Sequence, residues 1–183
     1  LVEYVTLEER RTNGFYRMIA TISGLTILLT LAFSFIEAVR QYATAGQVTI
    51  GEWLVSFDFP VPYFAKPVTY LSVAIVVFWF SWMTMHRGKI ARISKFWRSI
   101  LTVFALIMAF TSFYEVMYNF TVWGALITAD AMRGLLRIDL LNIAYPNPKI
   151  PWNLVFATKM FSSLSAISLY SFFLLLKSSE QQP

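Results

Sequence analysis

The chain has 183 residues, 57% apolar and 14% charged, with a formal net charge of +5. A soluble domain carries about 25% charged residues, so too little charge is present to clothe a water-facing surface. The absence of cysteine and the single histidine, His86, exclude disulfides, iron–sulfur clusters, a bis-histidine haem and Cys/His metal sites within the chain.

The apolar residues are gathered in long runs. A helix crossing a hydrocarbon core about 30 Å thick needs about 20 mostly apolar residues, and four such runs use most of the sequence. The expected fold is an all-α integral membrane protein, a four-transmembrane-helix bundle forming a single membrane domain over residues 1–183. The basic residues lie at the ends of the apolar runs, where they serve as topology signals, so no nucleic-acid partner is expected.

The first run spans about Phe15–Val39, after a charged stretch Glu8-Glu9-Arg10-Arg11. It is too long for the apolar region of a secretory signal, and no A-x-A pattern follows it, so a retained span is expected. Residues 41–66 read as a loop. Within it, Phe57-Asp58-Phe59-Pro60-Val61-Pro62-Tyr63-Phe64 is barred from regular helix by its prolines. A short extended hairpin or a surface-lying loop is expected there.

The second run spans about Val68–Met85 and is dense in aromatics. A basic turn follows, with His86, Arg87, Lys89, Arg92, Lys95 and Arg98. The third run spans about Ser99–Trp123 and the fourth about Pro151–Leu176. Between these two, Thr128–Ile143 is roughly amphipathic, which predicts a short interfacial helix, and Tyr145-Pro146-Asn147-Pro148 stops it.

Lys and Arg concentrate on the side that bears the termini: Arg10, Arg11, Arg17, Arg87, Lys89, Arg92, Lys95, Arg98 and Lys177. The other side holds Arg40, Lys66, Arg133, Arg137 and Lys149. The positive-inside rule therefore predicts cytoplasmic termini, in a plasma or prokaryotic inner membrane.

Polar residues within the runs recur at helical spacing. Ser23, Thr26, Thr30, Ser34, Glu37 and Gln41 share one face of the first span. Thr111, Ser112, Glu115, Tyr118 and Asn119 share a face of the third, and Lys159, Ser162 and Ser163 a face of the fourth. Glu115 and Lys159 fall at similar depth, roughly 10–12 Å in at 1.5 Å per residue, which predicts that they pair across neighbouring helices. The candidate intramembrane polar site is thus Glu37, Glu115, Lys159, Tyr118 and Asn119. Either it lines a polar cavity or it ties helices together. Glu37 has a simpler partner in Arg40, three residues on.

Arg87, Lys89, Arg92, Lys95 and Arg98 are candidate contacts to lipid headgroups, with topology determination as the plainer role. His86 reads as an interfacial residue. The run Phe78-Trp79-Phe80-Ser81-Trp82 reads as lipid-facing or belt aromatics, or as the flank of a quinone. Asn119-Phe120-Thr121 matches a glycosylation acceptor but falls inside a predicted span. No nucleotide-binding loop, nucleophile elbow or H-E-x-x-H is present. No metal is expected, and a bound lipid or quinone is the cofactor class left open.

The expected function is that of a non-catalytic subunit of a larger membrane complex, such as a respiratory oxidase or monooxygenase assembly. Its partners would be the bilayer, other membrane subunits or further copies of itself. The alternatives are a small oligomeric transporter or channel using the polar site, and a lipid- or quinone-active enzyme with Glu115 as acid/base. In the last, a paired Lys159 would oppose the raised carboxyl pKa that such chemistry favours.

Overall fold

The computed structural model describes residues 2–46, 48–57, 66–137 and 152–180. Of these residues 88% are helical, and the one isolated β-bridge among them joins Ile50 to Trp152. In chain order the helices are α1 (Val2–Ala45), α2 (Glu52–Ser56), α3 (Pro67–Met85), α4 (Arg87–Ala91), α5 (Lys95–Met132) and α6 (Leu154–Glu180). Four of them, α1, α3, α5 and α6, are long and apolar enough to cross a membrane. A helix satisfies its own backbone hydrogen bonds, which surrounding lipid cannot do.

The predicted spans are all present, but they differ in length. α3 has 19 residues, about 28 Å at 1.5 Å per residue, matching the hydrocarbon thickness. Pro67 opens it, where a missing N–H leaves nothing unpaired. α1 and α5, with 44 and 38 residues, are about 66 and 57 Å long and extend well beyond such a core.

The spans lie in a row, α1–α3–α6–α5, rather than in a closed bundle. α1 packs on α3, α3 on α6, and α6 on α5, while α1 meets neither α5 nor α6 and α3 does not meet α5. Neighbouring contacts give the directions. Thr69 meets Lys159 and Trp79 meets Ser171, so α3 and α6 run parallel. Arg98 meets Ser178 and Ala109 meets Ser165, so α5 and α6 run antiparallel. One end of the row holds the turn around α4 and the C-terminal end of α6 (the terminal end). The other holds α2 and the starts of α3 and α6 (the loop end).

Each end is closed by a small apolar core. At the loop end Leu54, Val55, Val68 and Leu71 are buried, with Ile27, Val155, Phe156 and Met160 packed on them. The short α2 thereby touches three spans at once. Gly51 precedes it with φ 79°, and a Cβ there would lie 2.2 Å from Cγ of Phe156. Asn153 caps α6, its Oδ1 accepting from the N–H groups of Val155 and Phe156 at 3.0 and 3.3 Å. At the terminal end Ile90 of α4 packs with Leu174 and Leu175 of α6.

The α5–α6 contact is a seam of small side chains. Ala105, Ala109, Ser112, Val116 and Asn119 are buried along α5 at alternating steps of four and three, the repeat that keeps one face against a partner helix. Small residues let the backbones approach, and Ser165 Oγ donates across to the Ala109 carbonyl at 3.3 Å.

Two expectations are corrected. No separate interfacial helix starts at Thr128: residues 128–132 continue α5, and Gly134, at φ 68°, follows in a turn. The remainder of that predicted helix, 138–143, lies outside the described residues. In the first loop, 52–56 forms α2 and docks into the loop-end core, while 58–64 lies outside the described residues.

Two substitutions test this packing. Ser112→Leu forces a larger side chain into the seam and is expected to destabilise the fold by about 1–3 kcal/mol. Ile107→Leu, on the exposed face of α5, should be neutral. Gly51→Ala should cost at least about 1 kcal/mol from the left-handed backbone alone, and more through the clash with Phe156. Reversible unfolding in mixed micelles with increasing SDS checks all three.

Candidate functional site

The polar face of α1 is where the spacing put it, but its hydroxyls are used locally. Ser23, Thr26 and Thr30 each donate to the carbonyl four residues back. Such back-bonding satisfies a hydroxyl inside its own helix and leaves little to offer a solute. Glu37 pairs with Arg40 at 3.9 Å, the simple i,i+3 partner.

The α3–α6 interface uses its polar groups between helices. Lys159 Nζ donates to Thr69 Oγ1 at 2.5 Å, and the Ser72 and Ser163 hydroxyls bond to each other. Trp79 Nε1–H donates to Ser171 Oγ at 2.8 Å, and the hydroxyls of Thr84 and Tyr170 lie 3.1 Å apart. These rungs run from the first turn of α3 to its last. One of the aromatics expected to face lipid is thereby engaged between helices, Trp79 on α6, whereas Phe80 stays 42% exposed beside Tyr170, with centroids 4.9 Å apart.

Glu115 and Lys159 do not pair; the ion pair among the described residues is Glu37–Arg40. The depth estimate fixed position along the axis but not around it. Ser165 marks the side of α6 that faces α5, and Lys159 lies six residues away, a rotation of about 120° at 3.6 residues per turn. Lys159 therefore faces α3. Its partner Thr69 sits on the first turn of α3, so the ammonium lies at that helix's end rather than deep within it.

Three of the five candidate site residues do come together. Glu115, Tyr118 and Asn119 line a groove of about 390 Å³ between α5 and the first turns of α6. Its other walls are Val122, Trp152, Leu154, Phe156, Ala157, Met160 and Phe161. Asn119 is 7% exposed, and its Nδ2 has no hydrogen-bond partner. Trp123 Nε1, one turn further on the same seam, is also buried without one. Among the described residues Glu115 has no hydrogen bond or ion pair. The groove thus offers a carboxylate acceptor and an amide donor against apolar walls, aromatic and aliphatic. Tyr118 stacks on Tyr114 at its rim, with centroids 6.3 Å apart.

A second groove, of about 640 Å³, lies between α1 and α3 near the terminal end. Phe78 and Trp82 form its floor, and Arg17, His86 and Lys89 its mouth. His86 stacks on Trp82 and donates its Nδ1–H to the Trp82 carbonyl at 2.9 Å. Of the five candidate headgroup residues, Arg87, Lys89, Arg92 and Lys95 are exposed at this end. Arg98 departs from them. It is 3% exposed, and its guanidinium donates to the carbonyls of Ser178 and Ile93 at 2.6 and 3.0 Å. It binds protein carbonyls, not headgroups, because it heads the buried seam of α5.

The polar stripe of this helix held Ser112 and Asn119 but not the seam's Ala105, Ala109 and Val116, nor the second buried donor, Trp123. The signal was there in the small residues Ala105, Ala109 and Ser112 at steps of four and three, with Asn119 on the same line.

A double-mutant cycle separates these roles. Lys159→Met and Thr69→Val should be coupled by about 0.6 kcal/mol, the usual worth of such a bond in bilayers. Lys159→Met and Glu115→Gln should be additive within error. Unfolding free energies in mixed micelles provide the check.

Comparison with protein-family models, with curated protein sequences and with solved structures finds no match for the chain.

Proposed function

We propose that the chain is a non-catalytic subunit of a larger membrane assembly, of the kind built around an oxidase or monooxygenase. The observation that carries this reading is the open row. Each edge helix touches a single neighbouring span, and each extends beyond the length of a hydrocarbon core. Such a row offers lateral faces on α1 and α5, and overhanging helix ends, to further polypeptides. It encloses no passage among its own four helices, which weighs against a single-chain channel.

The residue inventory agrees. One histidine and no cysteine leave the chain poorly equipped to hold a redox metal. The exposed basic residues Arg11, Arg17, Arg87, Lys89, Arg92, Lys95 and Lys177 gather at the terminal end, which supports reading that end as the cytoplasmic one, in a plasma or inner membrane.

Site-specific photo-crosslinking in native membranes tests the reading. A benzophenone amino acid at Phe35 of α1 or Tyr114 of α5, 71% and 64% exposed, should yield adducts with other polypeptides. The same label at buried Leu71 should not. In mild detergent the chain should elute in a complex far larger than its 21.1 kDa. A monomer that crosslinks only to lipid at both positions overturns the proposal.

A further inference from the structure

We infer that the groove between α5 and α6 is a binding site for the neutral, hydroxyl-bearing head of a membrane amphiphile, held between Glu115 and Asn119. The two groups set the chemistry. Asn119 lines the groove and is more than nine-tenths buried, and its Nδ2 has no hydrogen-bond partner. A buried N–H left unmade is costly, so an acceptor oxygen supplied from outside the chain completes it. The Glu115 carboxylate accepts only and has no bond among the described residues, so the same ligand must present an O–H or N–H.

A head carrying a hydroxyl beside an ether, carbonyl or second hydroxyl oxygen satisfies both. An anionic phosphate is disfavoured, because it would meet the Glu115 charge with no cation among the described lining residues. A zwitterionic phospholipid brings the same phosphate. A fully oxidised quinone presents acceptors alone and leaves the carboxylate unmatched. The walls Trp152, Phe156, Met160 and Phe161 suit a flat ring or the top of an acyl chain, as in apolar pockets with few placed polar groups. Two sources share this chemistry, a hydroquinone and a diacylglycerol-type lipid.

The full chain, reconstituted in phosphatidylcholine nanodiscs, is titrated with decylubiquinol under reducing conditions, with dioleoylglycerol, with decylubiquinone and with dioleoylphosphatidic acid. Binding is read by equilibrium partition of labelled ligand and by the shift in unfolding temperature. Saturable binding of decylubiquinol or dioleoylglycerol is expected, at least about tenfold tighter than of the quinone or the phosphatidic acid, since a hydrogen bond to a charged group is worth roughly that factor. The preferred arm identifies the source. Glu115→Gln and Asn119→Leu should each weaken it about tenfold, and Glu37→Gln should not.

Met160→Trp fills the groove without touching either polar group and should abolish binding while the helical circular dichroism is retained. That variant keeps the test decisive if a polar substitution fails to fold. Equal binding of all four amphiphiles, binding of the phosphatidic acid alone, or tight binding that survives Met160→Trp overturns the inference.

Discussion

The ladder of side-chain bonds between α3 and α6 is the contact on which the arrangement of the other spans rests. α1 is attached to the molecule largely through α3, and α5 through α6. In water such an interface could be closed by apolar burial. Lipid tails remove that driving force, leaving packing and interhelical hydrogen bonds to select the partner. The rungs Lys159–Thr69, Ser72–Ser163, Trp79–Ser171 and Thr84–Tyr170 set not only proximity but register, since each requires its partner at one height. The apolar cores at the two ends hold that register against sliding.

The two flanking contacts are made differently. The α5–α6 seam is narrow and lined by alanine and serine, so its stability comes from close backbone approach. The α1–α3 contact uses aromatic rings, with Phe78 against Gly24 and Tyr16 against Phe80. Arg98 adds a fixed point where the seam reaches the terminal end. A buried guanidinium needs carbonyl partners, and those it finds join the start of α5 to the end of α6. Toward the loop end of the same seam, beside the first turns of α6, Asn119 and Trp123 keep unused donors.

The spans were legible because bilayer thickness imposes a length on apolar runs. Their ends were legible only where a residue forbids continuation, as Pro67 does for α3. α1 and α5 continue past the apolar stretch because nothing in Gln41–Ala45 or Gly124–Met132 breaks a helix. The periodicity of Ser23, Thr26 and Thr30 was legible too, but spacing does not say whether a hydroxyl bonds its own helix or another. Glu115 and Lys159 show the same limit: depth follows from counting residues, whereas direction around the axis depends on which helix stands where. The row order, with α6 beside α3, is a long-range choice that no local pattern encodes. Glu115, Tyr118 and Asn119 line one groove because they share one helix, where spacing alone fixes their relation.

The position of α6 bears on how the molecule is made. A ribosome delivers the spans in numerical order, yet the last to emerge ends up between the second and the third. Until it arrives, the first two can settle together, whereas the third has no berth of its own beside them. Assembly therefore cannot proceed by adding each newcomer to the outer edge. The closing step is an insertion into the middle, and a chain cut short before residue 154 would leave the α1–α3 pair and α5 joined only through the turn around α4.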